Sequence, residues 1–321
     1  MARISESPDE RRIALERIGY VDLPPHTAPG GFDHAAVHGG RGLLYVAHTA
    51  NDAVDVIDCT TNTYLRSIPQ LAGVAGALVS EADDLVFTSN RGENTVGIFS
   101  PSGEETVVKV KVGVGPNGLA YGGDQRLLLA ANVGDPSRRG SHTVSLVDIS
   151  TRTVIANIPV PGRTRWTVFD AESGRFYVNI ADPPQIAVVD SADPTRVVDS
   201  FPMPAMGPHG LDLDPTTRRL LCACDGKVLL VVDSRSGAVL SEHAISGVPD
   251  VVFLNAAFKH LYVAIGDPGV IDVFDTEPMR RLESVPTERG AHTIGFDAVR
   301  NTVYAFLPDT HRAAVYRDQP G

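Results

Sequence analysis

Apolar and polar positions along this chain repeat with a period of about 42 residues. Each copy opens on a short apolar segment, in order HAAV, GALV, GLAY, TVFD, GLDL, VVFL and TIGF. A polar turn and two longer apolar runs follow, reading GLLYVAHTANDAVDVID over 42–58 and DLVFTSNRGENTVGIF over 84–99. The same grammar returns as RLLLAANVGDPSRRGSHTVSLVD (126–148), RFYVNIADPPQIAVVD (175–190) and RLLCACDGKVLLVVD (219–233). HLYVAIGDPGVIDVFD (260–275) and NTVYAFLPDTHRAAVY (301–316) complete the set. Asn, Asp and Gly fill the connection between the two runs, as tight turns require. The second run closes on an aspartate in five copies, Asp58, Asp148, Asp190, Asp233 and Asp275. A Thr- or Ser-rich turn then leads into a fourth strand such as YLRSIPQ or TVIANIPV. Four strands in each of seven copies predict an all-β, seven-bladed β-propeller with four antiparallel strands per blade.

The register can be counted. The residue before each opening segment is Asp33, Ala75, Asn117, Trp166, His209, Asp250 and His292, at steps of 42, 42, 49, 43, 41 and 42. The long step holds the insertion DPSRRGSH (135–142), and lengthening a surface loop costs little. The seventh copy stops at its third strand, AAVY, with only RDQPG after it. The stretch ALERIGYVDLP (14–24) has the outer-strand pattern and is expected to complete the seventh blade, closing the ring and removing its open edges. Residues 1–13 are read as a polar N-terminal tail, and residues 1–321 as one propeller domain.

Composition agrees with strands and turns: 43% of residues are apolar, with Gly 30 and Pro 23. The formal net charge is −11, the only lysines are Lys109, Lys111, Lys227 and Lys259, and the arginines are dispersed. Nucleic acid and anionic membranes are bound through clustered basic groups, so neither is an expected partner. No apolar run approaches the roughly 18 residues that span a bilayer. The N-terminus lacks the apolar centre of a signal peptide, and a cytoplasmic location is expected. Cys59, Cys222 and Cys224 are too few for a disulfide framework, and no second Cys pair completes a zinc site with CAC. Buried packing is the expected role of these thiols.

The runs GGFDHAAVHGGRGLLYVAH, DLVFTSNRGENTV, GRFYVNIAD, RRLLCAC and TERGAHTIGFD resemble the YncE-like family of YVTN β-propeller proteins over residues 14–316. The resemblance implies the propeller fold; it implies no particular activity, because propellers host unrelated functions. Ala75 and Trp166 depart from the polar residues common in the family at their positions, and so does the absence of an export signal from the habit of its members.

In a propeller the first strand of each blade lines the central channel, so the seven counted residues should converge around its mouth. His209, Asp250, His292 and Asp33 fall on contiguous blades five, six, seven and one. Two imidazoles and two carboxylates on one arc could hold a divalent metal, or act as acid–base pairs with each His oriented by an Asp. The same residue types also cap turns between blades, so a purely structural role stays open. His34 is expected on the opposite strand face from Asp33, and His48 near the same rim. Trp166, with Arg163 and Arg165, offers a stacking face and a cation to an anionic or aromatic ligand, or else plugs the channel.

Two functional readings follow. One is a ligand-binding or scaffold propeller using the funnel and rim loops, with Asp33, Asn117, Trp166, Arg165 and His48 as ligand contacts. Its partner would be a small molecule or a protein. The other is a metal-assisted lactonase- or lyase-type enzyme, with His209, His292 and Asp250 catalytic and His209, His292, Asp250 and Asp33 holding the metal. No glycine-rich phosphate loop, GxSxG elbow or HExxH motif is present to decide between them.

Overall fold

A strand covered on both faces reads as a continuous apolar run, and one covered on a single face alternates. The computed structural model describes residues 14–101 and 106–320 and places the continuous runs at the middle of seven antiparallel four-stranded sheets. Leu127–Asn132, a second strand, is buried at all six positions. The outer strand Val239–Ala244 alternates half-buried with exposed residues. Blade one consists of Ala35–His38, Leu43–His48, Ala53–Asp58 and Thr63–Ile68, hydrogen-bonded in that order. Among the described residues the one helical element is the 3-10 turn Thr49–Asn51. The fold is the all-β seven-bladed propeller.

Closure comes from both chain ends. Leu15–Asp22 pairs antiparallel with Arg312–Asp318, setting Leu15 opposite Asp318 and Val21 opposite Ala313. Backbone bonds of 2.9 Å from Leu23 to His311 and from Gln319 to Ala14 extend the join at its two ends. Leu15, Val21 and Leu23 are buried by it. The tail expected at 1–13 lies outside the described residues.

The recurring aspartates are turn chemistry. Asp58 Oδ1 accepts the amide hydrogens of Thr60 and Thr61 at 2.7 and 3.3 Å, and Asp148 does the same for Ser150 and Thr151 at 2.7 and 3.2 Å. Each closes an Asx turn between the third and fourth strands. Neighbouring blades are tied by buried tyrosines of the second strands. Tyr177 donates to the Ser234 carbonyl at 2.8 Å, and Tyr304 to Asn62 Oδ1 at 2.6 Å. Cys222 and Cys224 are buried thiols on one strand face, their sulfurs 3.8 Å apart.

Candidate ligand site in the central funnel

Strand pairing fixes which residues are equivalent around the channel. Pro116 stands opposite Asn132, Thr164 opposite Ile180, Pro208 opposite Cys224 and Pro249 opposite Ile265. The next residues therefore form the ring: Asn117, Arg165, His209 and Asp250, with Asp33, Ala75 and His292 from the remaining blades. Blade four contributes Arg165, not Trp166. Trp166 belongs one position deeper, where three other blades carry Gly76, Gly118 and Gly210. A Cβ on Gly118 would stand 2.6 Å from the Arg165 carbonyl oxygen, so backbones of adjacent blades nearly touch at this level.

His209, Asp250 and His292 meet. The Asp250 carboxylate lies 3.2 Å from His209 Nε2 through one oxygen and 2.7 Å from His292 Nδ1 through the other. Asp225, the residue after the second strand of blade five, takes His209 Nδ1 at 2.7 Å. Burial opposes a charge on His209, but its hydrogen bonds to Asp225 and Asp250 prevail and push its pKa up to about 9. Burial likewise opposes charge on His292, and Asp250 raises its pKa above the ordinary value. The same two imidazoles overcome the burial of Asp250 and hold its carboxyl well below the usual range. His209 is thus an imidazolium at neutral pH. The Arg165 nitrogen 3.1 Å from its Nε2 is then a like-charged neighbour, not a donor to it.

Asp33 adds its charge to the field at His292, but its contacts lie elsewhere. It lies 3.2 Å from His34 Nε2 and 3.4 Å from Arg91. Arg91, at the blade-two position equivalent to Asp225, also donates to Asn117 Oδ1 at 2.7 Å. Arg165 reaches Asp225 only at 3.5 Å. The guanidinium of Arg163 is held below its usual pKa by burial and by Arg165 and Arg91 beside it. Three guanidiniums therefore crowd one side of the funnel, while the short contacts of Asp225 and Asp250 go to imidazoles. The Nε atoms of Arg91 and Arg165 are buried with no acceptor among the described residues.

No family model matches the chain, and no curated protein matches it. Solved structures do. A chain of hydrazine synthase from Kuenenia stuttgartiensis superposes with a TM-score of 0.80, at 13% identity, over 93% of this chain and 98% of its own. A chain of the mitotic checkpoint complex does so at 0.79 and 11%, over 99% and 96%. At these identities the likeness is one of fold alone.

Two further placements differ from the sequence expectation. His34 does not turn away from the channel; its ring meets Trp166 across the axis, with centroids 4.1 Å apart. In blades two to six the pairing register shifts near the start of the first strand, which breaks simple alternation there. Burial keeps His34 below its ordinary pKa against the pull of Asp33 and Asp250. His48 is not on the ring either. It is fully buried, 2.7 Å from Asp55, and packs against Phe32 and His26. Among the described residues no group of three or more His, Cys, Asp or Glu is arranged to hold a metal ion. On the arc itself the donor atoms are directed at one another, and the fit to a cation is poor.

Arg91 and Asp225 carried no sequence signal of their own. Both follow directly on a second strand, at positions filled by Thr49, Val133, Ala181, Gly266 and Pro308 in the other blades. Comparing that column across the repeats exposes them as its charged members.

Proposed function

We propose that the central funnel binds a small organic anion, its carboxylate or phosphate oxygens held by Arg91, Arg163 and Arg165. The observation that carries this reading is the excess of guanidinium donors over acceptors there, with the Nε of Arg91 and Arg165 buried and unpartnered. Such a cluster costs stability through mutual repulsion, most plainly at Arg163, in a chain whose net charge is −11. Paired N–H groups of guanidinium suit planar carboxylate and phosphate edges. The imidazolium of His209 adds positive charge to the same rim. Membership of the YncE-like YVTN family is compatible with this reading and adds no substrate to it. A metal-assisted lactonase or lyase is supported less, because the donor atoms of His209, Asp250 and His292 are directed at one another and not at a common point.

Titration calorimetry at low ionic strength with citrate and, separately, pyrophosphate tests the reading. One-to-one binding of at least one probe is expected, weakened about tenfold or more by Arg165→Met or Arg91→Met. Citrate alone would indicate a carboxylate ligand and pyrophosphate alone a phosphate. Binding of neither, or binding indifferent to both substitutions, overturns it.

A further inference from the structure

Below the His34–Trp166 contact the channel opens again into a cavity of about 740 Å³, a size that holds a small organic molecule. Its wall is aromatic and aliphatic: Trp166, Phe253, Phe296, Phe169, Tyr121 and Leu78 contribute to it. The Trp166 and Phe253 rings meet edge to face, centroids 6.1 Å apart. Three acids border this space. Asp170 and Glu172 are both engaged by Arg218. Asp212 is different, because no cation among the described residues pairs with it. Its two oxygens each accept one backbone N–H, from Leu213 at 2.8 Å and from Leu254 at 2.7 Å.

The position of Asp212 is informative. It is the fourth residue of the inner strand counted from the ring, where the other blades place Ala36, Leu78, Ala120, Val168, Phe253 and Gly295. A carboxylate there is costly, and burial raises its pKa to about 6 despite the two amide donors. It is ionised at neutral pH nonetheless. A carboxylate offers about four lone-pair sites, so roughly two remain open after those bonds.

We infer that this lower chamber is a second ligand site, which takes a small organic ammonium with an apolar body. Asp212 supplies the counter-charge, and the faces of Trp166 and Phe253 supply cation–π contact and apolar cover. The site is independent of the anion site above, with which it shares only the His34–Trp166 partition.

Trp166 is the only tryptophan in the chain, so its fluorescence reports directly on the chamber. Wild-type protein is titrated with 2-phenylethylammonium and with its uncharged counterpart 2-phenylethanol. A saturable change in emission is expected for the ammonium, with at least a tenfold weaker response to the alcohol. Asp212→Asn should reduce the affinity for the ammonium to that for the alcohol. Equal affinities in the wild type, or no saturable change with the ammonium, overturns the inference. The comparison of the two probes needs no variant, so it decides the matter even where Asp212→Asn unfolds for want of an acceptor.

Discussion

His209 Nε2 lies 3.2 Å from Asp250 Oδ1, and the other oxygen of that carboxylate holds His292, so one acid serves two imidazoles. With Asp225 on its Nδ1, His209 has a carboxylate at each ring nitrogen. That arrangement stabilises the charged ring and makes the fold sensitive to alkali.

The sign follows from the shift. The folded pKa of His209, about 9, exceeds its ordinary unfolded value of 6.5. The stabilisation is complete below the unfolded value and is lost as pH rises through the folded one, with a ceiling of about 3 kcal/mol. His34 acts in the opposite sense: held neutral by burial, it takes up a proton on unfolding, so stability falls again below the ordinary pKa. Denaturant unfolding across this range should show a maximum near neutrality. His209→Gln should flatten the alkaline arm and leave the acid arm in place.

The inner glycines are expected to be intolerant for steric reasons. Gly118 does not have a positive φ, so alanine there is conformationally allowed and would by itself stabilise by about 0.4–1 kcal/mol. Its Cβ, however, would meet the carbonyl of Arg165 at 2.6 Å, and that oxygen belongs to the next blade. Gly118→Ala should therefore destabilise by about 1–3 kcal/mol in urea unfolding. A stabilised variant would contradict the close approach.

The closing strand should govern the whole ring. A variant starting at residue 24 loses the pairing with Arg312–Asp318 and the burial of Leu15, Val21 and Leu23. Those side chains contribute about 2 kcal/mol each, so the melting temperature should fall by about 10 °C or more. An unchanged melting temperature would show that the strand is dispensable.

Arg163 tests whether the anion site is held at a cost. Its guanidinium gains no ion pair among the described residues and suffers partial burial and the charges of Arg165 and Arg91. Arg163→Gln should raise the melting temperature at low salt, and the gain should vanish at high salt, where screening removes the repulsion. The same variant should bind citrate or pyrophosphate more weakly.

The fold was legible because every repeat states its own turns and alternation, down to the aspartates that close five of the seven third strands. Closure was legible because a fourth strand was missing at one end and present at the other. The ring was legible in the six blades where the residue before the opening apolar segment is the ring residue, as Asn117, His209 and Asp250 are. Blade four has Thr164 before its ring residue and a tryptophan where its neighbours carry glycine, so counting alone shifts the register by one and puts Trp166 on the ring in place of Arg165. His34 departs from simple alternation because it precedes the first strand of blade one, Ala35–His38, and it and Asp33 both bond to the backbone of Ala47. Arg163 and Arg165 stand out together in GRTRW, but Arg91 lies more than 70 residues away and joins them only through the ring. Asp212 carries no signal of its own in GLDLD; its apolar surroundings follow only from its place on the channel wall.

The central claim concerns a place, so locating an oxyanion in a crystal tests it most directly. Crystals soaked in tungstate should show an anomalous peak within hydrogen-bonding distance of Arg91 and Arg165, and citrate should displace it. Tungstate found only at surface sites away from the funnel, or a funnel peak that citrate leaves in place, would contradict the anion site.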